Sequence, residues 1–204
     1  MTITKIQFLT SQAEINEFGN LVILVNNGEQ IKSYDIMHAD EREAVEAGVD
    51  QLFINFEINS VIEIGFGLGY TAQKFEQHGV QKHYIIEPHP EIYQMALDWR
   101  ESQPNKDNII IINDFYEQWD RRQEDGEMIK ADLVYYDAAD LTSDDPVDFI
   151  TITEDTLQVY FKWATKLVAG YGRGNCEVSE YLEKFNYQVG QNNYAQPYKN
   201  KQLS

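Results

Sequence analysis

The sequence predicts an α/β protein built on a doubly wound, mostly parallel sheet, with an N-terminal β-hairpin and a cap helix ahead of it. Three observations predict this. Short apolar runs at 60–64, 82–87, 109–113 and 133–137 alternate with stretches of helical periodicity, which implies a parallel sheet with helices on both faces. The first of these runs breaks into Gly65-Phe66-Gly67-Leu68-Gly69, a turn with glycine at every second position. Upstream, Asn26-Asn27-Gly28-Glu29 separates two apolar runs, and Asn-Gly between such runs is a strong hairpin signal.

Each element has its own justification. The hairpin pairs 21–25 with 30–36. A helix follows from Ala39 to Phe56, with Ala44, Val45, Gly48, Val49, Leu52, Phe53 and Phe56 on one stripe. Asp40, Glu41 and Glu43 load its first turn with negative charge, which suits the helix dipole. The strand at 60–64 feeds a helix from Gly69 to His78 that Gly79 ends. After the strand at 82–87, Pro90 opens a helix at its tolerated first position, with Ile92, Met95, Ala96 and Trp99 at helical spacing. Beyond Pro146 we expect a helix at 154–163, a strand at 165–170, a short helix at 177–185 and a C-terminal antiparallel strand pair. Residues 1–56, the hairpin and cap helix, belong to the same domain as the core at 57–204.

The glycine turn carries the chemistry. Glycines let the backbone turn tightly and let a ligand lie against the main chain where a Cβ would collide. Glu87 ends the next strand about 20 residues on, placed to accept both hydroxyl hydrogens of a ribose. A dinucleotide fingerprint would read G-x-G-x-x-G. Here the third glycine comes one residue early, and Tyr70 stands where that fingerprint needs glycine. With Glu63 two residues before Gly65, the segment reads E-x-G-x-G-x-G. In this it resembles the Rossmann-like class of S-adenosylmethionine-dependent methyltransferases.

Composition narrows the partners. A formal charge of −18, from 16 basic and 34 acidic residues, argues against nucleic acid and anionic membrane, which recruit Lys and Arg. It favours a small cationic or neutral substrate. The single Cys176 excludes an internal disulfide, and its neighbours Asn175 and Glu177 do nothing to activate it. No apolar run approaches the ~20 residues that span a bilayer. Met1 to Thr10 lacks the layout of a signal peptide, so we expect a cytoplasmic protein. The four histidines show no metal-ligand spacing, and no metal is expected. A homodimer is compatible with these features.

Two further clusters follow the third and fourth strands. Asp114-Phe115-Tyr116 offers an acid for an adenine amino group and aromatics for its ring; a helix cap with two core aromatics is the other reading. Tyr135-Tyr136-Asp137-Ala138-Ala139-Asp140 closes the fourth strand. A carboxylate there can anchor an amine or guanidinium, orient its lone pair and accept its proton. Capping the next turn is the alternative for Asp137, and Asp140 reads as solvated or a cap.

Taken together, Ile64-Gly65-Phe66-Gly67, Ile85-Ile86-Glu87, Asp98-Trp99, Asp114-Phe115-Tyr116-Glu117 and Tyr136-Asp137 are similar to guanidinoacetate N-methyltransferase and its arginine N-methyltransferase relatives. The likeness runs from Leu21 to Asp140. It implies that Glu63, Gly65, Phe66, Gly67 and Gly69 line the donor, that Glu87 binds its ribose, and that Asp114, Phe115 and Tyr116 border adenine. It also implies that Asp137 grips the acceptor, with Met37 and Tyr136 beside it. The family carries M-x-x-W-E ahead of its first strand; here the stretch is Met37-His38-Ala39-Asp40-Glu41-Arg42-Glu43, without the tryptophan. Counting back from the glycine loop puts the second carboxylate at Glu43. The family's L-x-P-G-G is replaced by Lys166-Leu167-Val168-Ala169-Gly170.

The expectation is an N-methyltransferase that moves methyl from S-adenosylmethionine to a small guanidino or amine acceptor. An aminopropyltransferase of the same fold and a non-catalytic nucleoside-binding relative are the alternatives.

Overall fold

In the computed structural model, residues 3–123, 126, 128–138, 154–170, 187–189 and 194–197 are described. The chain opens with a helix that no sequence pattern announces, α1 (Lys5–Leu9), started by a capping box between Thr4 and Gln7. The hairpin forms as expected from β2 (Leu21–Asn26) and β3 (Ile31–Met37). Its turn is held by the Asn26 and Asn27 side chains, which accept from the backbone of Gly28, Glu29 and Gln30. A third strand, β1 (Gln12–Ile15), pairs antiparallel with β2, so the hairpin is part of a three-stranded sheet with β2 at its centre. β1 is largely exposed and lacks an apolar alternation, so no periodicity marks it.

The cap helix α2 (Arg42–Asn55) starts after a 3-10 turn at Ala39–Glu41. Val45, Val49 and Leu52 are its buried face, while Ala44 and Gly48, on the predicted stripe, are exposed. The main sheet contains five parallel strands: β4 (Ser60–Ile64), β5 (Lys82–Ile86), β6 (Ile109–Ile112), β7 (Ala131–Tyr136) and β8 (Ala164–Gly170). Antiparallel β9 (Tyr187–Val189) and β10 (Tyr194–Pro197) extend it, giving the order β6-β5-β4-β7-β8-β10-β9. The predicted helix at 177–185 lies outside the described residues.

Side-chain alternation divides the core. Val61 and Leu133 face one side with Val49 and Leu52 of α2 and Phe75 of α3 (Tyr70–Gln77). Ile62, Ile64, Val134 and Tyr136 face the other, against Trp119 of α5 (Tyr116–Gln123) and Tyr160 and Trp163 of α6 (Glu154–Trp163). The helix between β5 and β6, α4 (Pro90–Glu101), joins the first side and packs Ile92 and Ala96 on Ile85 and Ile109. The strand order reverses at β4, between β5 and β7. In open α/β sheets such a switch point opens a crevice at the carboxyl ends of the strands.

Candidate functional site

Gly65, Gly67 and Gly69 all take positive φ, at 89°, 54° and 74°. Gly65 is required by close approach as well. A Cβ there would collide with the backbone carbonyl oxygen of Asp137, just past β7. The Gly65 N–H donates to Ile86 O at 2.9 Å and the Asp137 N–H to Ile64 O at 3.0 Å, so the glycine turn is stitched between the ends of β5 and β7. A Cβ on Gly67 would stand 3.0 Å from Met37 Sδ. That thioether also accepts the Leu68 N–H at 3.3 Å. Met37, expected beside the acceptor, is thus buried against the glycine loop, because β3 ends over it.

Glu87 lies just beyond β5 and is buried. Its Oε2 accepts the Phe66 N–H at 3.0 Å and its Oε1 the His89 N–H at 2.8 Å. Burial pushes its carboxyl up to about 7, with the two backbone donors pulling against that and the Glu63 charge adding to it. Each oxygen keeps lone pairs for further donors. Phe66 is buried in the same cluster as Met37, and its ring lies beneath Gly69.

Asp137 is half-buried, yet its Oδ2 is shut off from solvent and has no hydrogen-bond partner among the described residues. Burial first, then the charges of Glu63 and Glu41, push its carboxyl up to about 8. Of the acids ahead of the first strand of the main sheet, Glu41 is the one whose charge reaches Asp137, behind the larger effect of Glu63. Glu43, the residue expected from the sequence, is exposed. Glu41 ends the 3-10 turn half-buried and accepts the His38 N–H at 3.1 Å, whereas Glu43 falls in α2 on a solvent-facing side. The signal was in the motif: counting forward from Met37 through M-x-x-W-E lands on Glu41, whereas counting back from the loop has to cross the whole of α2 and the connection to β4.

Three other expectations change. Glu63 does not face the crevice; it is fully buried under the glycine loop, bonded to the Thr71 hydroxyl and to His83 Nε2 at 2.9 Å. Tyr136 turns away from Asp137, as alternation along β7 requires, and packs 5.5 Å from the Tyr160 ring in the core. Asp114 is buried and ion-paired with Arg122, with Oδ1 accepting the Phe115 N–H at 2.9 Å. Tyr116 stacks at a tilt on Tyr160, 5.4 Å away. Asp140 lies outside the described residues.

The N-terminal helix adds residues that sequence reasoning missed. The Lys5 ammonium sits 4.3 Å from the Phe115 ring centroid and Phe8 packs 6.2 Å from the same ring. Ser11 Oγ meets His89 Nε2 at 3.0 Å. So Gly65, Phe66, Gly67, Met37, Glu87 and Asp137 gather at the glycine loop, with Glu41 acting on Asp137 by its charge. Glu63 lies beneath the loop and reaches Glu87 and Asp137 only through its charge, and Glu43, Tyr136, Asp114 and Tyr116 are engaged elsewhere or exposed. Among the described residues no group of three or more His, Cys, Asp or Glu could hold a metal ion, and no helix is long and apolar enough to cross a membrane.

Comparison with known proteins agrees with this architecture. The family model described as guanidinoacetate N-methyltransferase matches residues 55–157, half of the chain. Among solved structures, magnesium protoporphyrin IX methyltransferase from Synechocystis, with S-adenosylmethionine bound, is 13% identical with a TM-score of 0.53, over 76% of each chain. Spermidine synthase from Thermotoga maritima is 12% identical with a TM-score of 0.53, over 90% of this chain and 70% of that one. At such identities these likenesses establish the fold.

Proposed function

The chain belongs to the guanidinoacetate N-methyltransferase family, and from that premise we propose that it methylates a nitrogen of a small guanidino or amine acceptor with S-adenosylmethionine as donor. Asp137 carries this reading. Its Oδ2 is buried without a partner among the described residues at the crevice, next to the charges of Glu63 and Glu41. Such a group favours a ligand that is cationic and rich in N–H. An arriving cation stabilises the ionised carboxylate, and the nitrogen must shed a proton before it can present a lone pair. Asp137 is placed to take it.

The residues also fit the donor. The Gly65–Gly69 backbone has the positive-φ geometry of a cradle and Glu87 retains lone pairs for ribose hydroxyls, with Phe115 available to the base. When bound, the donor supplies an electrophilic methyl group on a sulfonium. The chain's part is to hold the nitrogen in line with it and exclude water.

The acceptor is tested by following methyl transfer over a panel of guanidines, amines, phenols and thiols. Turnover confined to cationic nitrogen compounds is expected. Transfer to oxygen or sulfur acceptors, or aminopropyl transfer from the decarboxylated donor alone, would overturn the reading.

The donor assignment has its own test. Glu87→Ala should weaken binding of S-adenosylhomocysteine by ~1.5–3 kcal/mol. Because Glu87 also fixes the Phe66 N–H, the ribose contact is isolated with a ligand lacking the 2′- and 3′-hydroxyls. Wild type should discriminate against that ligand and Glu87→Ala should not. A raised carboxyl pKa near 7 also means that affinity should decline below pH 7 as Glu87 protonates. Equal discrimination by both proteins would place the ribose elsewhere.

A further inference from the structure

Beneath the glycine loop lies a chain of polar groups in which only Glu63, through its charge on Asp137, bears on the proposed transfer chemistry; Thr71, His83, Glu76 and Asn105 have no part in it. Thr71, in the first turn of α3, donates its hydroxyl to Glu63 Oε1. Glu63 Oε2 meets His83 Nε2 at 2.9 Å, and His83 Nδ1 meets Glu76 Oε1 at 2.9 Å. Glu76 Oε2 in turn accepts from the Asn105 side-chain amide. The three ionisable side chains are between 0 and 4% exposed, so water cannot compensate them. The rings of Phe75 and Trp99 close edge-on around the imidazole, and among the described residues Glu63 and Glu76 are the charged groups that bear on it.

Counting donors, with both carboxyl groups ionised, points to where the proton sits. The outer oxygens of both carboxylates face donors, the Thr71 hydroxyl and the Asn105 amide. Their inner oxygens face the two ring nitrogens. A neutral imidazole has one N–H and would set a lone pair against one carboxylate. Only the doubly protonated ring donates to both. Burial alone would lower the His83 pKa, but the hydrogen bonds and charges of Glu63 and Glu76 outweigh it and raise it.

The elements joined are those that make the donor site. Glu63 is on β4, one residue before the strand ends at the glycine loop; His83 is on β5, which ends one residue before Glu87; Thr71 and Glu76 are on α3, which the loop opens. We propose that His83 is a positioning residue whose imidazolium ties β4, β5 and α3 together and, through Glu63 and Thr71, holds the glycine loop in its donor-binding geometry. This rests on the donor reading above. It also explains why Glu63 of the E-x-G-x-G-x-G signature is beneath the loop in this chain.

The tether is contributed while His83 is charged and is lost as pH rises through its raised pKa. Two measurements test it. Ring-nitrogen NMR of the full chain should show His83 doubly protonated at pH 7.5; a neutral imidazole there would overturn the proposal without reference to any donor. Calorimetry with S-adenosylhomocysteine should show wild-type affinity falling at alkaline pH while the fold persists. In Glu63→Gln the amide can donate to a neutral ring, so the chain stays satisfied and this part of the alkaline loss should vanish. Comparing the two proteins cancels titration of the ligand's own amine. Thr71→Val, which cuts the link to the loop, should weaken affinity about tenfold, and Thr71→Ser should restore it. An unchanged alkaline profile in Glu63→Gln, or wild-type affinity in Thr71→Val, overturns the tether. Failure of wild type to bind S-adenosylhomocysteine would instead overturn the donor reading, leaving the NMR result to decide on His83.

Discussion

Asp137→Asn should lower turnover by ~10²-fold or more while the affinity for S-adenosylhomocysteine stays nearly unchanged. The substitution keeps the shape of the side chain and removes its charge and its capacity to take a proton. The glycine turn meets the Asp137 main chain, its carbonyl oxygen lying beside Gly65 and its N–H donating to Ile64 O, and asparagine keeps both backbone groups. The pH dependence has a definite sign. With the carboxyl near pH 8, acceptor binding should improve as pH rises toward 8 and Asp137 ionises; Asp137→Asn should lose that limb.

Stability should move the other way. A carboxyl whose folded pKa is raised makes the fold less stable as pH climbs from its ordinary value, 3.8, to about 8. Asparagine removes that penalty, so the variant's Tm at pH 7.5 should rise as its activity falls. Near-normal turnover on the true acceptor would sink the assignment.

The second large effect is at Gly65. Gly65→Ala should destabilise the fold by about 2–5 kcal/mol, combining left-handed strain with overpacking against rigid backbone. Besides the Asp137 carbonyl oxygen, the new Cβ would meet Asp137 C at 3.1 Å and Ala138 Cα at 3.3 Å, none of which can swing aside like a side chain. Gly28 is the control. It has nearly the same φ, 88°, but a Cβ added there would meet nothing within 4 Å. Gly28→Ala should therefore show the conformational strain alone, ~1–2 kcal/mol. Urea midpoints of the two variants measure the difference, and equal losses would mean that the approach of loop to β7 is not required. Gly65→Ala should also abolish donor binding, because the loop cannot keep its place between β5 and β7.

Much of this was legible in the chain itself. The Asn27-Gly28 turn, the four parallel strands from β4 to β7 and the glycine loop declare themselves through local rules, since turn chemistry and buried-strand composition act within a few residues. The elements missed are those whose signal is short or non-local. α1 is five residues held by one capping box, and β1 is an exposed edge strand that exists because β2 offers it hydrogen bonds.

The site divides on the same line. The sequence determined that a glycine loop, the Glu87 carboxyl and the Asp137 carboxyl stand at the ends of β4, β5 and β7, because buried-strand composition and loop spacing dictate it. Which carboxylates face the crevice was decided only in three dimensions. Glu63 points under the loop because alternation along β4 sends it there, toward a histidine one strand away. Glu41 rather than Glu43 bears on Asp137 because a 3-10 turn, not a full helical turn, precedes α2. Tyr136 is a core residue because Tyr160, from a helix beyond the next connection, closes on it. Those outcomes depend on packing between segments far apart in the chain, and no local pattern encodes them.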